Sequence, residues 1–436
     1  LSGFEGATPT ARLWARHALL DWAAVTVAGS REPLAGMMVE EFGAPTGPCT
    51  LVATGRRAAP HDAALVNGAV GHALDYDDVH FAMHGHPTVP VAPVVLALGE
   101  ALGRTGRDVL DAFVAGYEAE CQIGAMAGFG HYDKGFHATG TIGTFGAAAA
   151  ASWLLRLDAG RTANALGMAA AQAAGLKAMF GTMTKPFHAG KAAANGLVAA
   201  RLAARGFTAN TAGIEAPQGF AVTQAPGFAA TPVRPDPEAP FAIEGNLFKY
   251  HAACYLTHSA IEAIGKLRER HGVRLDDLKA LTVFAEAAIP QVCDIRAPRT
   301  GLEVKFSIRY LAALALDGAD TAALDLYTDA VAADARLSDA RAKVGVERRA
   351  FPSRSAAAVA LETRDGRTLV AEADVGVPAA DTGAQWDRLT AKARSIAVPV
   401  IGADRVEAVI GAVDRLEQAG EVTDLMRLLA YPVPTR

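Results

Sequence analysis

The chain is expected to be mainly α: a large all-helical domain made of its N-terminal part and C-terminal tail, with a smaller α+β domain inserted. Three observations predict this. Residues 9–220 are dominated by helical signals, beginning with apolar positions at intervals of three and four. After a proline-rich stretch, short β-type runs punctuated by turn residues join the pattern, and helical spacing alone returns from Asp387 onward. At 436 residues the chain also exceeds the size at which one hydrophobic core usually stops growing, so two domains are the default. The expected division is 1–240 completed by 387–436, with 241–386 inserted.

Each element follows from its own residues. Thr10 is positioned to cap ARLWARHALLDWAAVTVAG, whose spacing is helical. A short β-type run from Cys49 to Ala53 interrupts before HDAALVNGAVGHALD resumes the helical period. Four helical segments follow: VPVAPVVLALGEALG, GRDVLDAFVAGYEAECQIGAMAG, GTIGTFGAAAAASWLLRL and AGRTANALGMAAAQAAGLKAMF. Two of them are apolar nearly all round, as central helices of a bundle are. Residues 225–240, with five prolines, read as a boundary. Beyond it, THSAIEAIGKLRERHG is an amphipathic helix and LKALTVFAEA a strand. AAAVALETRDGRTLVAEADV is a hairpin turning at Asp365-Gly366.

Composition removes several function classes. A net charge of −5 and a pI near 6.2, without a basic stretch, give no reason to expect nucleic acid. No apolar run reaches the roughly 18 residues of a membrane span. Cys49, Cys121, Cys254 and Cys293 form no CxxC pair, which fits reduced thiols. No signal-peptide pattern opens the sequence, and a cytoplasmic protein is expected.

The stretch His72–Pro87, HALDYDDVHFAMHGHP, holds four histidines and three aspartates in sixteen residues of a chain only 20% charged. Histidine exchanges protons near neutral pH, and a neighbouring carboxylate orients it and raises its basicity. The plainer reading is a solvated loop whose acids cap helices. His80, His84 and His86 have spacing that a metal would accept, but Gly85 and Pro87 argue for a loop and no ligand framework accompanies them. No metal is expected.

Three further segments around the helical domain and its boundary carry chemistry. Gly135-Phe136-His137-Ala138-Thr139-Gly140-Thr141 opens a helix whose amide end suits a carboxylate or phosphate, unless Thr139 or Thr141 simply caps it. Met183–Lys191 sets Lys185 before Pro186 and three residues before His188, either as a functional charge or as a solvated helix start. Phe248-Lys249-Tyr250-His251-Ala252-Ala253-Cys254 follows the domain boundary. In the inserted domain, Val304-Lys305-Phe306-Ser307-Ile308-Arg309-Tyr310 begins a helix.

In this order and spacing the segments resemble the MmgE/PrpD family, which includes 2-methylcitrate dehydratase, cis-aconitate decarboxylase and iminodisuccinate epimerase. The likeness runs from about residue 10 to at least residue 320 through NGAVGHALDYDD, GFHATGTIGTFGAAAAA, GTMTKPFHAGKAAANG and KFSIRYLAALALDG. It implies an enzyme needing no metal or other cofactor, usually a homodimer, with the smaller domain as a lid and the site between domains. Carried over by motif, the family's site residues fall on Asp75, His86, His137, Lys185, Lys249 and Tyr310. The sequence departs from the family at Val79, where the decarboxylase and dehydratase branches typically have threonine. The loop before His86 is one residue longer than in the decarboxylase. Around Lys249, Tyr250-His251-Ala252-Ala253-Cys254 replaces an aromatic-proline pair. These changes lie where substrate would be read.

Elementary chemistry agrees with that implication. Removing a proton from carbon beside a carboxylate accumulates negative charge. Lys185, Lys249 and Arg309, with Thr139 and Thr141 at the helix start, are assigned to hold the substrate's carboxylates. His137 and His86 are assigned to move the proton, with His137 at a pocket mouth where it carries little packing. Asp75 would orient a histidine, and Tyr310 would supply a hydrogen bond or a proton. The expected function is a lyase that dehydrates a small hydroxy-polycarboxylate, a di- or tricarboxylate. The alternatives are an epimerase of a dicarboxylate, a cis-aconitate-type decarboxylase and, from another class, a non-catalytic binding protein.

Overall fold

The computed structural model describes residues 4–43, 46–229, 239–286 and 292–431. The chain is mainly helical with a small α+β part, and it forms two compact units. The first comprises residues 1–248 and 383–436, and the second residues 249–382. Among the described residues no helix is long and apolar enough to cross a membrane. Most of the proline-rich boundary, residues 230–238, lies outside the described residues.

The first unit contains α1 (Pro9–Gly29), α2 (Pro33–Phe42), α3 (Pro60–Gly71), α4 (Thr88–Leu102), α5 (Gly106–Asp133), α6 (Ala138–Leu154), α7 (Ala159–Gln172) and α8 (Thr184–Ala204). Thr8, not Thr10, caps α1: its hydroxyl accepts from the amide of Ala11, and Pro9 takes the first helical position. Proline belongs there because its missing N–H has no helical partner in that turn. The run at Cys49 is shorter than expected, a two-residue strand β1 (Cys49–Thr50) paired antiparallel with β2 (Arg57–Ala58).

Helix α6 is buried on nearly every side, packed by α4, α5, α7 and α8, as its all-round apolar sequence requires. Helix α3 lies against α8 through two glycines. A Cβ at Gly190 would stand 2.2 Å from the Leu65 carbonyl oxygen, and one at Gly68 would stand 2.9 Å from the Gly190 Cα. This near-contact of backbones places the end of α3 beside the start of α8. Those are the two ends that carry His72 and Lys185.

The second unit begins with α9 (His258–His271), an amphipathic helix over a four-stranded sheet. The sheet order is β4 (Val344–Arg348), β3 (Leu278–Ala285), β5 (Ala356–Thr363), β6 (Thr368–Asp374). β3 pairs parallel with β4, while β3–β5 and β5–β6 are antiparallel. The β5–β6 hairpin turns at Asp365-Gly366. Helix α10 (Ile308–Asp317) is capped by Ser307 and packs on α9. The Cys254 and Cys293 thiols, distant in sequence, lie 3.1 Å apart in this unit.

Helix α11 (Thr382–Ile401) leads the chain back to the first unit, starting five residues before the helical pattern was expected to resume. Its Gln385 amide donates to Nδ1 of the buried His17 at 2.8 Å, and that ring lies against Trp386 and Trp14. Burial, assisted by the charge of Arg16, lowers the His17 pKa to about 4. The unfolded chain takes up this proton below about 6.5, whereas the folded chain does so only near 4. His17 therefore contributes stability above pH 6.5, and the contribution is lost as pH falls toward 4, by roughly 3 kcal/mol at most. His17→Phe keeps an aromatic ring and is expected to remove this part of the pH dependence. Thermal midpoints of both proteins across pH 7 to 4.5 test this, and parallel curves would contradict it.

Candidate active site

The residues from His72 to Pro87 form no helix; they loop from the end of α3 to the start of α4. Asp75 adopts a left-handed φ of 51°, a conformation that aspartate tolerates better than most residues. The loop folds its acids back onto its histidines. His72 donates from Nδ1 to Asp77 at 2.9 Å, and both side chains are fully buried. This hydrogen bond fixes the tautomer of His72. Burial lowers the His72 pKa to about 4 despite the opposing carboxylate, so the ring is neutral. Burial works against the Asp77 carboxylate, yet the imidazoles of His72 and His86 beside it hold its pKa well below the usual range.

His86 lies between two carboxylates, with Nδ1 3.3 Å from Asp77 and Nε2 3.3 Å from Asp75. Its ring packs edge-on against that of His72, 4.6 Å between centroids. The Lys185 ammonium, from the first turn of α8, pairs with the half-exposed Asp75 at 2.8 Å. A ligand atom from each of His72, Asp75, Asp77 and His86 lies within 4.8 Å of the others, a grouping that could hold a cation. The ammonium of Lys185 already supplies positive charge to one of its members.

His137 stands at the N-cap of α6 without a side-chain cap bond. It is 2% exposed and is packed by rings, contrary to its expected place at a pocket mouth. His72 stacks on it at 5.7 Å, the edge of Phe180 approaches at 5.0 Å, and His188 Nδ1 lies 3.1 Å from its own Nδ1. Burial, assisted by the charge of Lys185, drives the His137 pKa well below its ordinary value. His137 is therefore neutral, and an imidazole must be neutral to accept a proton.

The other expected residues fall as follows. The Thr139 hydroxyl accepts from the His86 amide at 3.1 Å, which ties the loop to the start of α6. Thr141 is bonded at 2.7 Å to Nε2 of the buried His131, whose Nδ1 donates to the Gln224 carbonyl. Both threonines are wholly buried, and neither caps the helix. His80 donates to the Ala242 carbonyl and His84 packs on Phe129, so neither joins the His72–His86 group. Asp78 accepts from Thr88 and Asn246, and burial pushes its pKa up to about 7.

Lys249, Arg309 and Tyr310 belong to the second unit. Arg309 makes a two-point ion pair with Asp294, at 2.6 and 3.1 Å. The buried Tyr310 hydroxyl donates to the Val331 carbonyl. Lys249 is buried near the start of that unit.

Sequence reading assigned no role to His72, Asp77 or His188, though all three stand in segments it singled out. For His72 and Asp77 the signal was their place in the histidine- and aspartate-rich stretch, and His188 left one of its own. It follows Lys185 by three residues, so in a helix the two share a face.

The MmgE/PrpD N-terminal domain matches residues 3–231, and the MmgE/PrpD C-terminal domain matches residues 251–418. The cis-aconitate decarboxylase-like protein oryM of Aspergillus oryzae is 28% identical over 95% of this chain and 92% of its own length. A cis-aconitate decarboxylase of Aspergillus terreus is 28% identical over 96% of this chain and 91% of its own. The Homo sapiens cis-aconitate decarboxylase is 30% identical over 87% of this chain and 81% of its own. With both domains matched in order across most of its length, the chain belongs to the MmgE/PrpD family.

Proposed function

We propose that the protein is an enzyme, a lyase that acts on a small tricarboxylate through proton transfer at a carbon next to a carboxylate. Loss of carbon dioxide from an unsaturated acid of the cis-aconitate kind is its leading reaction. The observation that carries this reading is the set of Lys185, His137 and His86 in one unit. It combines an ammonium, a neutral imidazole and an imidazole flanked by two carboxylates. An ammonium beside a substrate carboxylate offsets the charge that builds when an adjacent carbon becomes carbanion-like. In decarboxylation the carbon–carbon bond breaks, carbon dioxide leaves, and its electron pair passes into the conjugated acid. His86 then gives an N–H proton to carbon and regains one from solvent, so the proton consumed comes from water. In dehydration the neutral imidazole takes the carbon-bound proton and a second group protonates the departing hydroxyl.

The names of the relatives favour decarboxylation. The neutral imidazole of His137, which suits a base that takes a proton from carbon, supports a second reading: the dehydration of a hydroxy-polycarboxylate expected from sequence. Proton NMR in deuterium oxide with a panel of di- and tricarboxylates separates these outcomes. The expected result is release of carbon dioxide from cis-aconitate, deuterium in the product, and a rate unaffected by prior dialysis against a strong chelator. Loss of water from a hydroxy acid would favour the second reading. Proton exchange alone would indicate an isomerase. No change in any acid would overturn the proposal.

A further inference from the structure

We propose that His188 is a positioning residue that accepts the Nδ1–H of His137, so that His137 presents a bare Nε2 and acts as a base rather than an acid. The inference rests on the proton-abstracting role of His137, which the dehydration reading requires, and adds to it a tautomer and its cause.

The two Nδ1 atoms are 3.1 Å apart, and one hydrogen bond between two neutral imidazoles needs a single proton between them. Whichever ring supplies that proton has its other nitrogen bare. Burial lowers the pKa of both rings, so neither arrangement is replaced by a charged pair. If His188 donated, His137 would carry its proton on Nε2 and could only give it away. If His137 donates, Nε2 is left as a lone pair.

The surroundings decide between these arrangements. His137 stands at the amide end of α6, and Lys185 shares the Phe180 ring with it, with the ammonium 5.3 Å from the ring centre. A lone pair suits a region that already offers an ammonium and helix amides, whereas another N–H would compete with them for the same acceptors. His188 is half-buried, so water can accept from its own Nε2–H at little cost.

The fold also holds His188 in place. Pro186 and Ala189 on either side of it in α8 are buried, and a Cβ at Gly140 would stand 3.0 Å from the His188 Cβ. The absence of a side chain at Gly140 lets α8 bring this ring up to His137. Lys185 and His188, one helical turn apart, thus reach Asp75 and His137 from a single rigid element.

The test pairs two substitutions with a direct reading of the tautomer. His188→Leu removes the acceptor, and His188→Asn sets an amide oxygen near the former Nδ1. His188→Leu is expected to lower kcat by roughly ten- to a hundredfold, part of what a general base supplies, with KM within about twofold; His188→Asn should recover most of the loss. Nitrogen-15 NMR of histidine-labelled, substrate-free protein, with the His137 signals assigned by their absence in His137→Ala, should show the proton on Nδ1. In His188→Leu it should move to Nε2. A proton on Nε2 of His137 in the unaltered protein would overturn the proposal. So would an unchanged tautomer in a folded His188→Leu. The spectra need no substrate, so they stand whether or not the tricarboxylate reading survives.

Discussion

His137→Ala is expected to lower turnover by roughly 10²–10⁴-fold, the range lost when a positioned general base is removed. The histidine is neutral because it is buried, and the rings of His72, Phe180 and His188 fix its plane. Since it fills space, alanine leaves a gap, and a stability loss of about 1–3 kcal/mol is expected alongside the kinetic one. Both are separated by measuring turnover well below the variant's thermal midpoint. His84→Ala is the appropriate control, because His84 belongs to the same histidine-rich loop but packs on Phe129, outside the His72–His86 group. His80→Ala serves less well, since it also removes a hydrogen bond to the Ala242 carbonyl. Equal losses in His84→Ala and His137→Ala would remove His137 from the chemistry.

The fold class was legible because α1, α4, α5 and α6 are long: α5 buries one face of its second half on the 3.6-residue repeat, while α1, α4 and α6 are apolar nearly all round, as helices buried on every side are. The helical pattern failed where another partner takes over the backbone. Residues 159–180 carry one uninterrupted helical pattern, yet α7 stops at Gln172. The Gly175 carbonyl accepts instead from the His137 amide, and Phe136 bridges Leu176, so tertiary pairing beside the site outweighs local propensity. The same limit applies to the site. Asp75, His86, His137 and Lys185 stand in dense local motifs and could be named from the sequence. The bonds of His137 to His188 and of Lys185 to Asp75 depend on how closely α8 approaches α3 and α6. Linear spacing does not encode that approach, although the glycines that permit it are visible once the packing is known.

Lys392→Met is expected to cost about 3–5 kcal/mol of stability, because it removes one member of a buried ion pair and strands the charge of the other. The Lys392 ammonium lies 2.6 Å from Asp21 and 2.8 Å from the Tyr76 carbonyl oxygen, above the Tyr76 ring, with both charged side chains about 2% exposed or less. Lys392 comes from α11 and Asp21 from α1, so this contact fastens the returning C-terminal segment to the first helix. Tyr76 stands between Asp75 and Asp77, so the same ammonium also holds the backbone that aims both acids at His86. Methionine nearly matches lysine in length, so lost packing is a minor part of the expected cost. If the burden is an unpaired Asp21, adding Asp21→Asn should recover much of it, since replacing both partners is far cheaper than removing one. Denaturant unfolding of the two single variants and the double variant reads this coupling directly. Additive losses in the double variant would assign the effect to packing alone. Recovery of stability without recovery of turnover would show that the ammonium also sets the position of the Asp75–Asp77 loop, a role that a neutral pair does not reproduce.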